Sequence, residues 1–163
     1  AQRVAFLRDP AKLAKYHIIF LPCGTCATAG PGGFSGPDDA LDPLTRLRNV
    51  LCDILHQVAR DARLQRALAI CTQKVEYVSE LNGIRERHLR RREQALTRIE
   101  GLLRLAVAAG QCSRAVSPKI GARTLHALVD GLIGNWMLDR SAFDLQRTGR
   151  VAVEQVLAGL AFG

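Results

Sequence analysis

From Asp42 to the end of the chain, apolar residues recur at intervals of three and four, and no stretch alternates in twos. That period places them along one face of an α-helix and gives a β-sheet nothing to bury. The punctuation agrees with it. Asp42-Pro43 and Ser117-Pro118 each set a capping side chain before a proline, the favoured opening of a helix, and Gly110 is placed as a left-handed stop. The first helix is expected to carry Leu44, Leu47, Leu51, Ile54, Leu55 and Val58 inward. Asp61 caps a second, with Leu64, Leu68, Cys71, Val75 and Val78 on its inner face, until Asn82-Gly83 interrupts the pattern. A long helix follows from about Ile84 to Ala109, with Leu89, Leu96, Ile99, Leu103 and Val107 inward. The last two run from Pro118 to Leu138 and from about Asp144 to Ala161. The expected fold class is all-α, a bundle of five or six helices.

Residues 1–41 differ in kind. Between Gly24 and Pro37, seven of fourteen positions are glycine or proline, and nothing after Pro22 reads as regular structure. The chain therefore divides into an irregular segment, 1–41, and a helical domain, 42–163.

With 48 % hydrophobic and 23 % charged residues, the chain has the balance of a soluble globular protein. Apolar runs such as Ile18–Pro22 fall far short of the ~20 residues of a membrane span. The first thirty residues lack the order of a secretory signal, so the expected compartment is the cytoplasm, with no membrane partner. A net charge of +8 favours polyanions without identifying one. Five of the arginines crowd into Arg85–Arg92, but Glu86, Glu93 and Glu100 share that helix, which reads as a solvated, ion-paired face.

Chemistry that would make an enzyme is missing. There is no nucleophile elbow, no phosphate-binding glycine loop and no His-Glu-x-x-His. Cys23-Gly-Thr-Cys26 lacks a second pair to complete a zinc site, and Cys52 and His56 share a helix face without a third orienting group. No enzyme activity, metal or cofactor is expected.

The helix from Pro118 to Leu138 is apolar around much of its circumference, and Gly131 and Gly134 would let another helix approach closely. With the apolar last helix, this leaves two readings: a four-helix seam between two copies, or a core filled within one chain. Asp130 stands out among its apolar neighbours. A buried carboxylate must be paired, so it either meets an arginine or caps a helix, or else serves as the polar anchor of an apolar pocket.

The run Ala127-Leu-Val-Asp-Gly-Leu-Ile-Gly-Asn-Trp136, with Met137 through Leu145 after it, resembles the penultimate helix and following loop of TetR-family multidrug-efflux repressors of the AcrR type. Lys74–Leu81, and Arg98-Ile99 through Gln111, resemble the corresponding upstream stretches, so the likeness covers residues 42 to 161. The resemblance implies an all-α homodimer whose C-terminal domain binds lipophilic or aromatic effectors and so controls efflux-pump genes. It implies a pocket lined by Leu68, Thr72, Val75, Ala95, Ile99, His126, Val129, Asp130 and Ile133, with Asp130 as the polar contact. It also implies a dimer seam from the last two helices, here Leu125, Leu132, Trp136, Val153, Val156, Leu157 and Leu160. Such proteins begin with a helix-turn-helix domain, which residues 1–41 do not show. The expectation is a truncated or frame-shifted member, bound to DNA only if a reader is present elsewhere. The competing expectation is a basic helical module that binds nucleic acid or protein and has no effector pocket.

Overall fold

A computed structural model describes residues 41–73 and 82–162. They form five helices: α1 (Pro43–Arg60), α2 (Ala62–Gln73), α3 (Asn82–Ala108), α4 (Pro118–Leu138) and α5 (Leu145–Phe162), with no strand among the described residues. Several boundaries have a local cause. Asp42 caps α1 by accepting from the Thr45 N–H at 3.0 Å, and Ser117 caps α4 by accepting from the Ile120 N–H at 3.4 Å. Asp61 accepts from Arg63 and Leu64 at the start of α2, and Asp144 from Gln146 and Arg147 at the start of α5. α3 ends as its glycine foretells: Gly110 sits at φ 74°, its N–H reaches the Val107 carbonyl, and the Gln111 N–H reaches Ala106. These paired bonds are the Schellman closure.

α3 begins two residues before the expected Ile84, with Asn82 and Gly83 as its first residues. At a helix start the N–H groups have no intrahelical partner, so a weak helix former costs little there.

α1 and α4 each touch all four other described helices. α1 can do so because its stripe is enclosed along its whole length: Leu47, Leu51, Ile54, Leu55 and Val58 are all buried. The core continues through Leu64 and Leu68 of α2, Ile99, Leu102, Leu103 and Ala106 of α3, and the inner faces of α4 and α5. Two glycines set how closely helices approach. A Cβ on Gly121 would meet Leu103 Cδ1 at 2.9 Å, and one on Gly149 would run into the Leu55 side chain. The second is the tighter contact.

Candidate functional site

All seven residues expected in a seam between copies lie on α4 and α5, four of them buried in the chain's own core and three packed partly against it. Leu125 and Val153 have no accessible surface, and Leu157 and Trp136 are also buried. They close the core of the single chain. Leu132, Val156 and Leu160 are half-buried and pack against the core's edge. The outward face of α4 lies half a turn away, carrying Ile120, Thr124, Ala127, Gly131, Asn135 and Leu138. Ile120 and Leu138 are 66 % and 75 % exposed, and Val151 of α5 is 47 % exposed.

The residues expected to line a pocket fall mostly on inward faces. Leu68 (α2), Ile99 (α3), and His126, Val129 and Ile133 (α4) are buried, while Ala95 is half-buried. Thr72 lies in the last turn of α2, and Val75 falls outside the described residues. On α4 the buried positions Ala122, His126, Val129 and Ile133 follow one another at three- and four-residue steps. They make a single inward stripe.

Asp130 stands at the edge of that stripe. Its side chain is 36 % exposed, so it is not the enclosed carboxylate that the apolar surroundings suggested. Its partner is neither an arginine nor a helix end. Asp130 Oδ2 lies 3.1 Å from Nδ1 of His126, one turn back on the same helix. Spacing of four is what brings two side chains together on a helix, and that signal was present in the sequence.

Two polar side chains are buried among the described residues, Gln65 and His126. Gln65, which sequence reasoning passed over, donates its amide to the carbonyls of Val58 at 2.8 Å and Ala59 at 3.0 Å. It thereby satisfies the C-terminal end of α1. His126 is used on one side only: its Nε2 is buried and has no hydrogen-bond partner.

The residues set aside for other chemistry are occupied otherwise. His56 Nδ1 meets Gln146 Oε1 at 2.9 Å across to α5. Burial pushes the Cys112 thiol up, and burial does the same for Cys52 against the opposing charge of Arg150. Neither is a ready thiolate. Cys23 and Cys26 lie outside the described residues, among which no three His, Cys, Asp or Glu side chains gather to hold a metal. Glu86 and Arg90 pair at 3.5 Å on the exposed side of α3, as expected of a solvated face.

Residues 42–162 match the model of the C-terminal region of MAATS-type transcriptional repressors. The chain belongs to the TetR family of transcriptional regulators. Among its relatives, the transcriptional repressor BepR of Brucella suis biovar 1 (strain 1330) is 30 % identical over 122 residues, covering 75 % of this chain and 58 % of BepR. The probable transcriptional regulator ArpR of Pseudomonas putida is 32 % identical over 114 residues, covering 68 % of this chain and 53 % of ArpR. The crystal structure of NalD, the secondary repressor of the MexAB-OprM multidrug efflux pump in Pseudomonas aeruginosa, superposes with a TM-score of 0.69 at 26 % identity. That match covers 75 % of this TetR-family chain and 63 % of NalD. The chain spans just over half the length of the curated relatives it matches. Those relatives are regulators rather than enzymes. Among the described residues, no helix is long and apolar enough to cross a membrane.

Proposed function

We propose that residues 42–162 are the ligand-sensing and dimerisation region of a transcriptional repressor, one that takes lipophilic or aromatic effectors and thereby controls efflux-pump genes. The observation that carries this reading is the inward stripe of α4. It sets a buried histidine, partnered on one side only, among apolar side chains that belong to the same core as Leu68 and Ile99. An apolar lining with very few polar groups is the usual build of a small-molecule site. The kinship with BepR, and with NalD as a repressor of an efflux pump, supports the regulatory role.

The homodimer in this proposal uses the outward face of α4 and the neighbouring face of α5. Exposed Ile120, Leu138 and Val151 give that face apolar area, and exposed Gly131 and Gly159 have open space in front of them. Symmetric pairing of helices across such a face is a common way to cover it.

Thermal unfolding of the chain with and without a lipophilic aromatic cation such as ethidium tests the ligand half of the proposal. An effector present at a hundredfold excess over its Kd is expected to stabilise the fold by about 2.7 kcal/mol. A panel of planar aromatics that leaves the melting temperature unmoved would count against a sensor.

A further inference from the structure

The unused nitrogen of His126 has a definite chemistry. Asp130 Oδ2, 3.1 Å away, belongs to a carboxylate that accepts hydrogen bonds, so Nδ1 carries the proton that joins them. In the neutral ring the other nitrogen, Nε2, is then a lone-pair acceptor. That atom is enclosed and has no partner, while the whole residue is only 7 % exposed. Leaving a buried acceptor unsatisfied costs on the order of 1–3 kcal/mol, and native proteins rarely do so without a reason. Gln65, the other buried polar side chain described, makes two hydrogen bonds. Ala122, Val129 and Ile133, the buried residues that share this stripe of α4 with His126, carry no side-chain donor for Nε2.

We infer that Nε2 of His126 is the effector's polar contact, accepting a hydrogen bond from a hydroxyl or N–H on an otherwise apolar aromatic molecule. Asp130 is then a positioning residue: it holds the ring's tautomer and direction and leaves the recognition to the histidine. This rests on the effector-binding reading above and narrows it, from lipophilic aromatics in general to phenols and aromatic N–H compounds. It also reverses the roles that the sequence suggested, in which Asp130 was the anchor.

The matched pair 1-naphthol and 1-methoxynaphthalene tests it, since they share a ring system and differ in whether the oxygen can donate. Calorimetric titration of the full 163-residue chain is expected to show 1-naphthol bound about tenfold more tightly. In His126→Phe the ratio should fall to about one through loss of 1-naphthol alone, because the ring's shape is largely kept and its acceptor removed. Asp130→Asn, whose side-chain oxygen can still accept from Nδ1, should keep most of the ratio, and Asp130→Ala should lose it.

Nitrogen NMR of the unmutated protein makes the test independent of how the variants fold. The His126 ring should show a protonated Nδ1 and a lone-pair Nε2, and only 1-naphthol should shift the Nε2 resonance. Equal binding of both compounds would overturn the inference and leave the effector-binding reading standing. Binding of neither would remove the effector-binding reading and the inference together. An Asp130→Ala variant that keeps the tenfold ratio would overturn the positioning role.

Discussion

Asp42 links two helix ends. Its carboxylate takes the Thr45 N–H at the start of α1 and also the Gln111 side-chain amide at 2.8 Å, just past the end of α3. Gln111 returns the contact by accepting from the Leu44 N–H at 3.4 Å. These hydrogen bonds, the Thr45 N–H foremost, lower the Asp42 pKa from 3.8 to about 2. The unfolded chain therefore binds this proton more readily than the folded one. The stability the group contributes is complete above about pH 4 and is lost as the pH falls toward 2. Urea unfolding should show Asp42→Ala destabilised by about 1 kcal/mol at pH 6, with the gap to the unmutated chain narrowing between pH 4 and 2. Gly110 is a second local control point. At φ 74° any side chain is strained, and Gly110→Ala should cost about 1 kcal/mol by the same measurement, although a Cβ there has open space around it.

At the scale of elements, the packing of α5 on α1 turns on Gly149. Replacing a helix-interior glycine by alanine ordinarily gains up to about 1 kcal/mol in propensity. At Gly149 the new methyl would strike Leu55, whose side chain is fully enclosed and cannot step aside. Overpacking of this kind costs about 1–3 kcal/mol, so the clash outweighs the gain and Gly149→Ala should lower the melting temperature. Gly101 in α3 is the control. A Cβ there meets nothing within 4 Å, and Gly101→Ala should raise the melting temperature. If both changes raised it, α1 and α5 would not be in the close contact described.

For the whole molecule, the proposed seam lies on the outward face of α4 and α5. Ala127 lies in the middle of that face and is exposed, so Ala127→Glu should leave the helix itself nearly undisturbed. Across a two-fold axis the change would bring like charges together. Sedimentation is expected to show a dimer for the unmutated chain and a monomer of unchanged helical content for Ala127→Glu. A monomer in both cases would exclude the seam. A dimer in both would move it to another surface, since the exposed apolar residues on this face would then be uncovered.

The helices and most of their ends follow from residues close together in the chain. A cap, a stop glycine and an apolar stripe act within one or two turns, so Asp42, Asp61, Ser117, Asp144 and Gly110 could be read without knowing any neighbour. The sequence also carried the family, whose model matches residues 42–162. Which neighbour each stripe meets is set by the packing of the whole chain. An apolar residue on a helix is equally content against its own chain or a second copy, and burial alone assigned Leu125 and Val153 to the core. The pairing of His126 with Asp130 was latent in their spacing of four. Its meaning came from the packing that enclosed one nitrogen of the ring and left the carboxylate at the surface's edge, because the cost of an unpaired polar atom depends on whether water can reach it.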